Sequence, residues 1–398
     1  MRDWAQTYRA WPPWKSDYWC QIDNVFVKNP DKAVKSWGMK FFAPQIITGS
    51  GVLKERTIQV ENGLITAIDF GSAADAINLD GAVIPGFVDI HCHGGGGFDS
   101  SIDPRAGEFH LKSGTTTMLA SFVSEPINSI LTKLKNLNLA RNVIGVHLEG
   151  PYISHAHCGA HKAEYLTTPT ASDLEKLVES KKVKHITIAP EIDGALDAIS
   201  YLSRNGVMVA IGHSAANAEV VNKAIENGAK LVTHLYNGMK KDYSDKSTLI
   251  STVLHHSNLG LELILDGAHV PFNVIKDFLA TANSRIIGIT DAAPFAGQPD
   301  GEYLLGELPV QVVDQVARLK NGGALAGSTL TMDKAFATAI NLLGMNPVDA
   351  VQMYCARPAS YLDAAEVGDI AIGKKANFLV MNEDWQLKQV YFEGELVS

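Results

Sequence analysis

The chain has 398 residues, 46% hydrophobic and 19% charged, with Lys+Arg 34 against Asp+Glu 43 and a formal net charge of −9. Such a balance supplies apolar material for a large core, and the length suits two or three domains or one large barrel with an appendage. Mild acidity without basic clusters argues against nucleic acid or an anionic membrane surface as a partner.

Residues 1–40 mix Trp, Pro and charge without periodicity (WAQTYRAWPPWKSDYW), and Pro12 and Pro13 forbid a continuous helix. They are read as an N-terminal extension. No basic-then-apolar leader pattern stands there, and no stretch of the chain approaches the ~18 apolar residues of a membrane span. Cys20, Cys92, Cys158 and Cys355 are irregularly spaced without a CxxC, as expected of reduced thiols in a cytoplasmic protein.

From 41 to 84 the texture changes to short strand-like runs. TIQV and LITAI flank Asn62-Gly63, a strong hairpin signal. The last residues, 367–398, read the same way (IAIG, NFLVMN, LKQVYFEGELV). The two chain ends are therefore expected to form one small β-domain, a β-sandwich, flanking residues 85–366.

That middle region alternates apolar runs with amphipathic segments. The runs are FVDIHCH, TTTMLASF, VIGVHLEG, ITIAPE, VMVAIGH, LVTHL, LELILDG and IIGITDA. The segments include SDLEKLVES, ALDAISYLSRNG, NAEVVNKAIENG and VIKDFLATAN, and two of them close on Asn-Gly, a helix C-cap signal. Eight β-then-α units predict an α/β fold, a closed (β/α)8 TIM-like barrel in preference to an open sheet.

The ends of these runs carry the chemistry. His91 and His93 end the first, Glu149 the third, His213 the fifth, His234 the sixth, Asp266 and His269 the seventh, and Asp291 the eighth. In a barrel those ends share one mouth. The His-x-His spacing puts two imidazoles on one face of a strand and Cys92 on the other. Unpaired His, Glu and Asp are costly in a core, so their recurrence predicts a metal or catalytic site. Nitrogen and oxygen ligands suit zinc, iron, manganese or a similar divalent ion, and Asp291 is the candidate to move a proton of activated water. Gly94–Gly97 lacks the Lys and Ser/Thr of a phosphate loop; it is expected to let the backbone approach the site. His155 and His157 are read as rim residues, and His185, His255 and His256 as structural.

With these residues in view, the chain resembles the N-acetylglucosamine-6-phosphate deacetylases of the amidohydrolase superfamily. The matching stretches are PGFVDIHCHGGGGFD, GVHLEGPYIS, GAH at 159–161, GHSAANAE, THLYNGM, DGAHV, TDAAPFAG and LAGSTLTM, which span 85–332. The resemblance implies hydrolysis of an N-acetyl group by metal-activated hydroxide, releasing acetate and an amine. It implies Glu149, His213 and His234 as ligands of the main metal, and His91 and His93 as ligands of a second. Zinc comes first, with iron, manganese or cobalt as alternatives, at one or two ions per subunit. Asp291 is implied as general base and acid, and His161 as the group that polarises the carbonyl. Ala160, Asn237, Gly238 and His269 match substrate-contacting positions, and Leu330, Thr331 and Met332 a segment that closes over the sugar. A homodimer with a small amino-sugar substrate is implied as well.

The chain also departs from the pattern. Relatives carry an arginine, which grips the phosphate across the dimer, where this chain has Asp245; Lys246 is the nearest replacement, with Lys240 and Lys241 close by. Lys162 and Ala163 replace an acidic residue and a proline, and Gly238 an alanine. An ammonium does not reproduce a bidentate guanidinium, so the alternatives are a different or unphosphorylated N-acetylhexosamine, or a cyclic amide.

Overall fold

A computed structural model describes residues 38–256 and 258–398. The proposed extension falls outside those residues as far as position 37, as does Cys20.

Eight parallel strands follow one another around the middle region: β1 Phe87–Cys92, β2 Thr115–Phe122, β3 Val143–Glu149, β4 Val183–Ile188, β5 Met208–Ile211, β6 Leu231–Val232, β7 Gly260–Ile264 and β8 Ile286–Ile289. They coincide with the eight apolar runs. Backbone bonds between the ends of β8 and β1 bring the first and last strands together: Asp291 N–H donates to His91 O (2.9 Å) and His93 N–H to Ala292 O (2.7 Å). The barrel is of the TIM type; His91, His147, His185, Thr187 and Glu262 meet one another inside it, while Ile90, Leu148, Ile211 and Leu263 at the alternate positions belong to the surrounding apolar core.

The helices between the strands begin and end where the sequence says they should. Thr170 accepts from Asp173 N–H to open Ala171–Glu179, and Asn217 accepts from Val220 N–H to open Ala218–Glu226. Ala195–Arg204 and Ala218–Glu226 run out into Asn205-Gly206 and Asn227-Gly228, where the glycines take φ of 78° and 109°. Their buried faces (Ile199 and Leu202; Val221 and Ala224) pack on the barrel.

Both chain ends enter one eight-stranded sheet, in which Phe378–Met381 pairs antiparallel with Ala82–Pro85. Asn62-Gly63 makes the expected hairpin turn, with φ of 52° and 76° between Gly51–Glu61 and Leu64–Phe70. Hydrogen bonding joins all these strands into one sheet, which has its own core around Phe41, Ile58 and Phe378. The first strand, Met39–Thr48, starts two residues before the expected boundary.

Two features differ from the sequence reading. An antiparallel sheet of Gly301–Leu305, Leu308–Val313 and Val316–Leu319 was not anticipated; it has its own small core around Phe295, Leu305, Val310 and Ala326. The glycine run is also used otherwise. Gly94–Gly95 pairs with Phe98–Asp99, and a Cβ on Gly95 would lie 2.5 Å from the Phe109 ring. Close packing on the helix Arg105–Lys112, rather than access to the site, requires glycine there.

Candidate metal centre and active site

The strand ends do converge. Glu149 Oε1 lies 3.0 Å from His213 Nε2 and 2.8 Å from His234 Nε2, and those two nitrogens are 3.0 Å apart. On the other side, Glu149 Oε2 lies 3.1 Å from His93 Nε2, which is itself 3.1 Å from His91 Nε2. Asp291 Oδ1 stands 3.4 Å from both of these nitrogens. All six side chains are buried. Cys92 joins neither group, as its place on the opposite face predicted.

This donor set fits a divalent cation. His213 Nδ1 faces the His157 carbonyl at 2.8 Å, so its proton sits there and Nε2 presents a lone pair. Lone pairs that converge this closely repel unless a positive charge lies between them. Among the described residues two groups can hold an ion, Glu149–His213–His234 and His91–His93–Glu149, with Glu149 shared. The electrostatics agree. Burial pushes His93 down, yet Asp291 and Glu149 overcome it and raise the imidazole to about 9. Burial pushes Asp291 up, yet His91 and His93 hold it at about 2. Positive charge is favoured at this point of the barrel.

Local backbone geometry aims these groups inward. His213, His234 and Asp291 take φ of 47°, 27° and 49°, a left-handed region that non-glycine residues seldom enter. Gly238 packs closely beside them at φ 59°, where a Cβ would stand 2.8 Å from His213 Nδ1. Glu191, at the end of the fourth run, accepts from the Ser214 hydroxyl (2.7 Å) and Ala215 N–H (2.6 Å), which fixes the loop carrying His213.

His161 completes the cluster. Its Nδ1 accepts from Ser124 N–H at 3.1 Å, and burial, opposed by Glu149, lowers its pKa. The neutral ring therefore carries its proton on Nε2, 3.3 Å from Glu149 Oε2 and at the edge of the cavity.

A cavity of about 320 Å³ opens over the cluster, with His93, Glu149, His161, His213, His234 and Asp291 at its floor. Of the expected substrate contacts, Ala160, Asn237, Gly238 and His269 line it. His269 is oriented by Asp266, 2.6 Å from its Nδ1. Leu330, Thr331 and Met332 are buried, and Ala324, Leu325 and Gly327 of the same segment form the wall instead. Lys246 is exposed outside the lining, Lys240 pairs with Asp245 (3.3 Å), and Lys162 is engaged by Glu307 and Tyr165. The cations that do line the cavity are Lys241, one of the lysines noted near the missing arginine, and Arg318, which the sequence did not bring forward. Arg318 sits on the unanticipated sheet, so no strand-end argument could have found it.

A (β/α)8 barrel with imidazoles and carboxylates gathered at its mouth is the frame of a metal-dependent hydrolase, and comparison with known proteins agrees. The model of the amidohydrolase family matches residues 82–397. N-acetylglucosamine-6-phosphate deacetylase of Vibrio furnissii is 32% identical over 91% of this chain and 96% of its own length. N-acetylgalactosamine-6-phosphate deacetylase of Escherichia coli O157:H7 is 31% identical over 89% and 98%. Among solved structures, a variant of N-acetyl-D-glucosamine-6-phosphate deacetylase from Mycobacterium smegmatis, in complex with N-acetyl-D-glucosamine-6-phosphate, superposes with a TM-score of 0.85 at 32% identity, covering 90% of this chain and 99% of that one. The chain belongs to the amidohydrolase family, and within it to the N-acetylglucosamine-6-phosphate deacetylase family.

Proposed function

We propose that this protein hydrolyses the N-acetyl group of an amino-sugar phosphate, converting N-acetylglucosamine 6-phosphate to glucosamine 6-phosphate and acetate. The observation that carries this reading is the convergence of Glu149, His213 and His234 beside Asp291 on the floor of a cavity with two cations in its wall.

Glu149, His213 and His234 would hold the principal divalent ion, and His91 and His93 a second; zinc is the first candidate, then iron, manganese or cobalt. Such an ion acts as a Lewis acid and brings the pKa of a coordinated water towards ~7. Asp291 Oδ1 faces the cluster, positioned to take the proton of the attacking water and return it to the departing amine. His161 Nε2–H is aimed at the floor, where it donates to the acetamido oxygen as negative charge develops. Asn237, Gly238 and His269 position the sugar, with Ala160 beside His161. Leu330, Thr331 and Met332 back the segment that walls the cavity.

The anionic end of the substrate is best served from within the chain. Lys241 lies over the Tyr236 ring, its Nζ 4.7 Å from the centroid, and partial burial lowers its pKa. Arg318 is steadied by donating to Gly323 O at 3.0 Å. Asp245 cannot grip a phosphate, and Lys241 with Arg318 is better placed than Lys246.

In this reading residues 85–366 form the hydrolase barrel, and 41–84 with 367–398 the small β-domain beside it. The protein works as a cytoplasmic homodimer. Acetate release should be measured on N-acetylglucosamine 6-phosphate, its C4 epimer and both unphosphorylated sugars. Turnover of the phosphorylated sugars at low KM is expected. Turnover of a cyclic amide but of no acetylated sugar would overturn the reading.

A further inference from the structure

We propose that Glu262, buried beneath the metal centre, is the positioning residue that orients His91 and so lets the His-x-His pair hold a second cation. The inference rests on the reading above that the cluster accepts two ions.

Glu262 lies within β7 and is 0% exposed. Inward positions of barrel strands are ordinarily filled by branched apolar side chains. A buried carboxylate costs several kcal/mol unless it is compensated, and among the described residues no Lys or Arg pairs with it. The groups that face it are His91 Nδ1 at 3.1 Å and His234 N–H at 3.2 Å, both on Oε2, with His185 Nε2 3.6 Å from Oε1. Both hydrogen bonds on Oε2 therefore come from the ligand set itself, while the non-ligand His185 stands near the other oxygen.

The consequence for His91 is specific. With Oε2 accepting the Nδ1 proton, the Nε2 lone pair is turned toward His93 Nε2 (3.1 Å), Asp291 Oδ1 (3.4 Å) and Glu149 Oε1 (3.7 Å). A carboxylate behind a ligating imidazole fixes its tautomer and its aim. The same oxygen holds the backbone of His234, which stands at the strained φ of 27°. The other half of the cluster has separate support, because His213 is set by the His157 carbonyl. Losing Glu262 should therefore loosen the His91–His93 side more than the Glu149–His213–His234 side.

The test compares wild type, Glu262→Gln and Glu262→Leu, each stripped by chelator and reloaded with Zn²⁺. Ions per chain are counted by mass spectrometry, and stepwise affinities are measured by calorimetry. Wild type should bind two ions. Glu262→Leu should weaken the second by ~10–100-fold while the first shifts far less. Glu262→Gln, which keeps an acceptor oxygen, should be partly rescued, and it carries the test if the Leu variant does not fold. A second ion bound at wild-type affinity by both variants overturns the role of Glu262 and leaves the two-ion reading standing. Loss of both ions in parallel also overturns it, since that marks a general scaffold. A single ion on wild type overturns the two-ion reading together with the inference.

Discussion

In the chain-end sheet, Phe41, Phe378 and Tyr391 pack ring against ring with centroids 4.8–5.2 Å apart, and Ile46, Ile58 and Val380 close around them. At the mouth of the barrel, equally inaccessible positions hold imidazoles and carboxylates at hydrogen-bond distance. The first arrangement stabilises by removing apolar surface from water, about 25 cal/mol per Å². The second costs stability: charged groups are desolvated and three residues sit at positive φ. Burial therefore has two meanings in this molecule. One region holds the chain together, while the other is held in place by its surroundings so that a cation and a substrate can complete it.

That contrast can be broken in several places. The largest effect is expected from Glu149→Ala, or from exhaustive chelation: both ion groups share this residue, so bound metal and acetate release should fall to background. A Glu149→Ala protein with normal metal content and rate would remove the cluster from the function. Asp291→Asn should lower kcat by ~10²–10⁴ and leave metal bound, as for loss of a general base; unchanged turnover excludes Asp291 from the chemistry.

Phe378→Ala should act the opposite way. Truncating a buried aromatic costs about 3–5 kcal/mol in stability, while KM and metal content of the protein that remains folded stay as in wild type. A metal-binding defect in that variant would mean the two regions are coupled. Lys241→Ala should raise KM for the phosphorylated sugar by ~10-fold, the loss of one charge-assisted contact, and leave the unphosphorylated sugar unaffected. Equal effects on both sugars would place the phosphate elsewhere.

The smallest effect is on the metal-free protein. His93 is raised to about 9 in the fold, above its unfolded value of ~6.5. The stability this contributes is complete below pH ~6.5 and is lost as pH rises through about 9. Melting temperature should decline over that window and become level once Zn²⁺ replaces the proton; a level profile without metal would show that the imidazolium is not stabilised there.

The sequence by itself determined the order and identity of the barrel strands, since apolar runs alternate with amphipathic segments that close on turn residues such as Asn205-Gly206 and Asn227-Gly228. It also determined which side chains meet, because strand ends share one mouth whatever the loops do. Residue type sufficed there: His91, His93, Glu149, His213, His234 and Asp291 stand out in apolar surroundings. Glu262 carries the same kind of signal inside LELILDG, but one carboxylate in a strand says nothing of its partner until the closed barrel brings His91 of β1 to it across the interior. Only the tertiary structure decided which cation faces the cavity. Lys240, Lys241 and Lys246 are equivalent along the chain, and Arg318 is distant in sequence from all three; exposure and direction come from how the segment folds over Tyr236 and from where the 301–319 sheet is laid. Local pattern fixes periodicity and caps, whereas the aim of a long flexible side chain depends on neighbours contributed by remote parts of the chain.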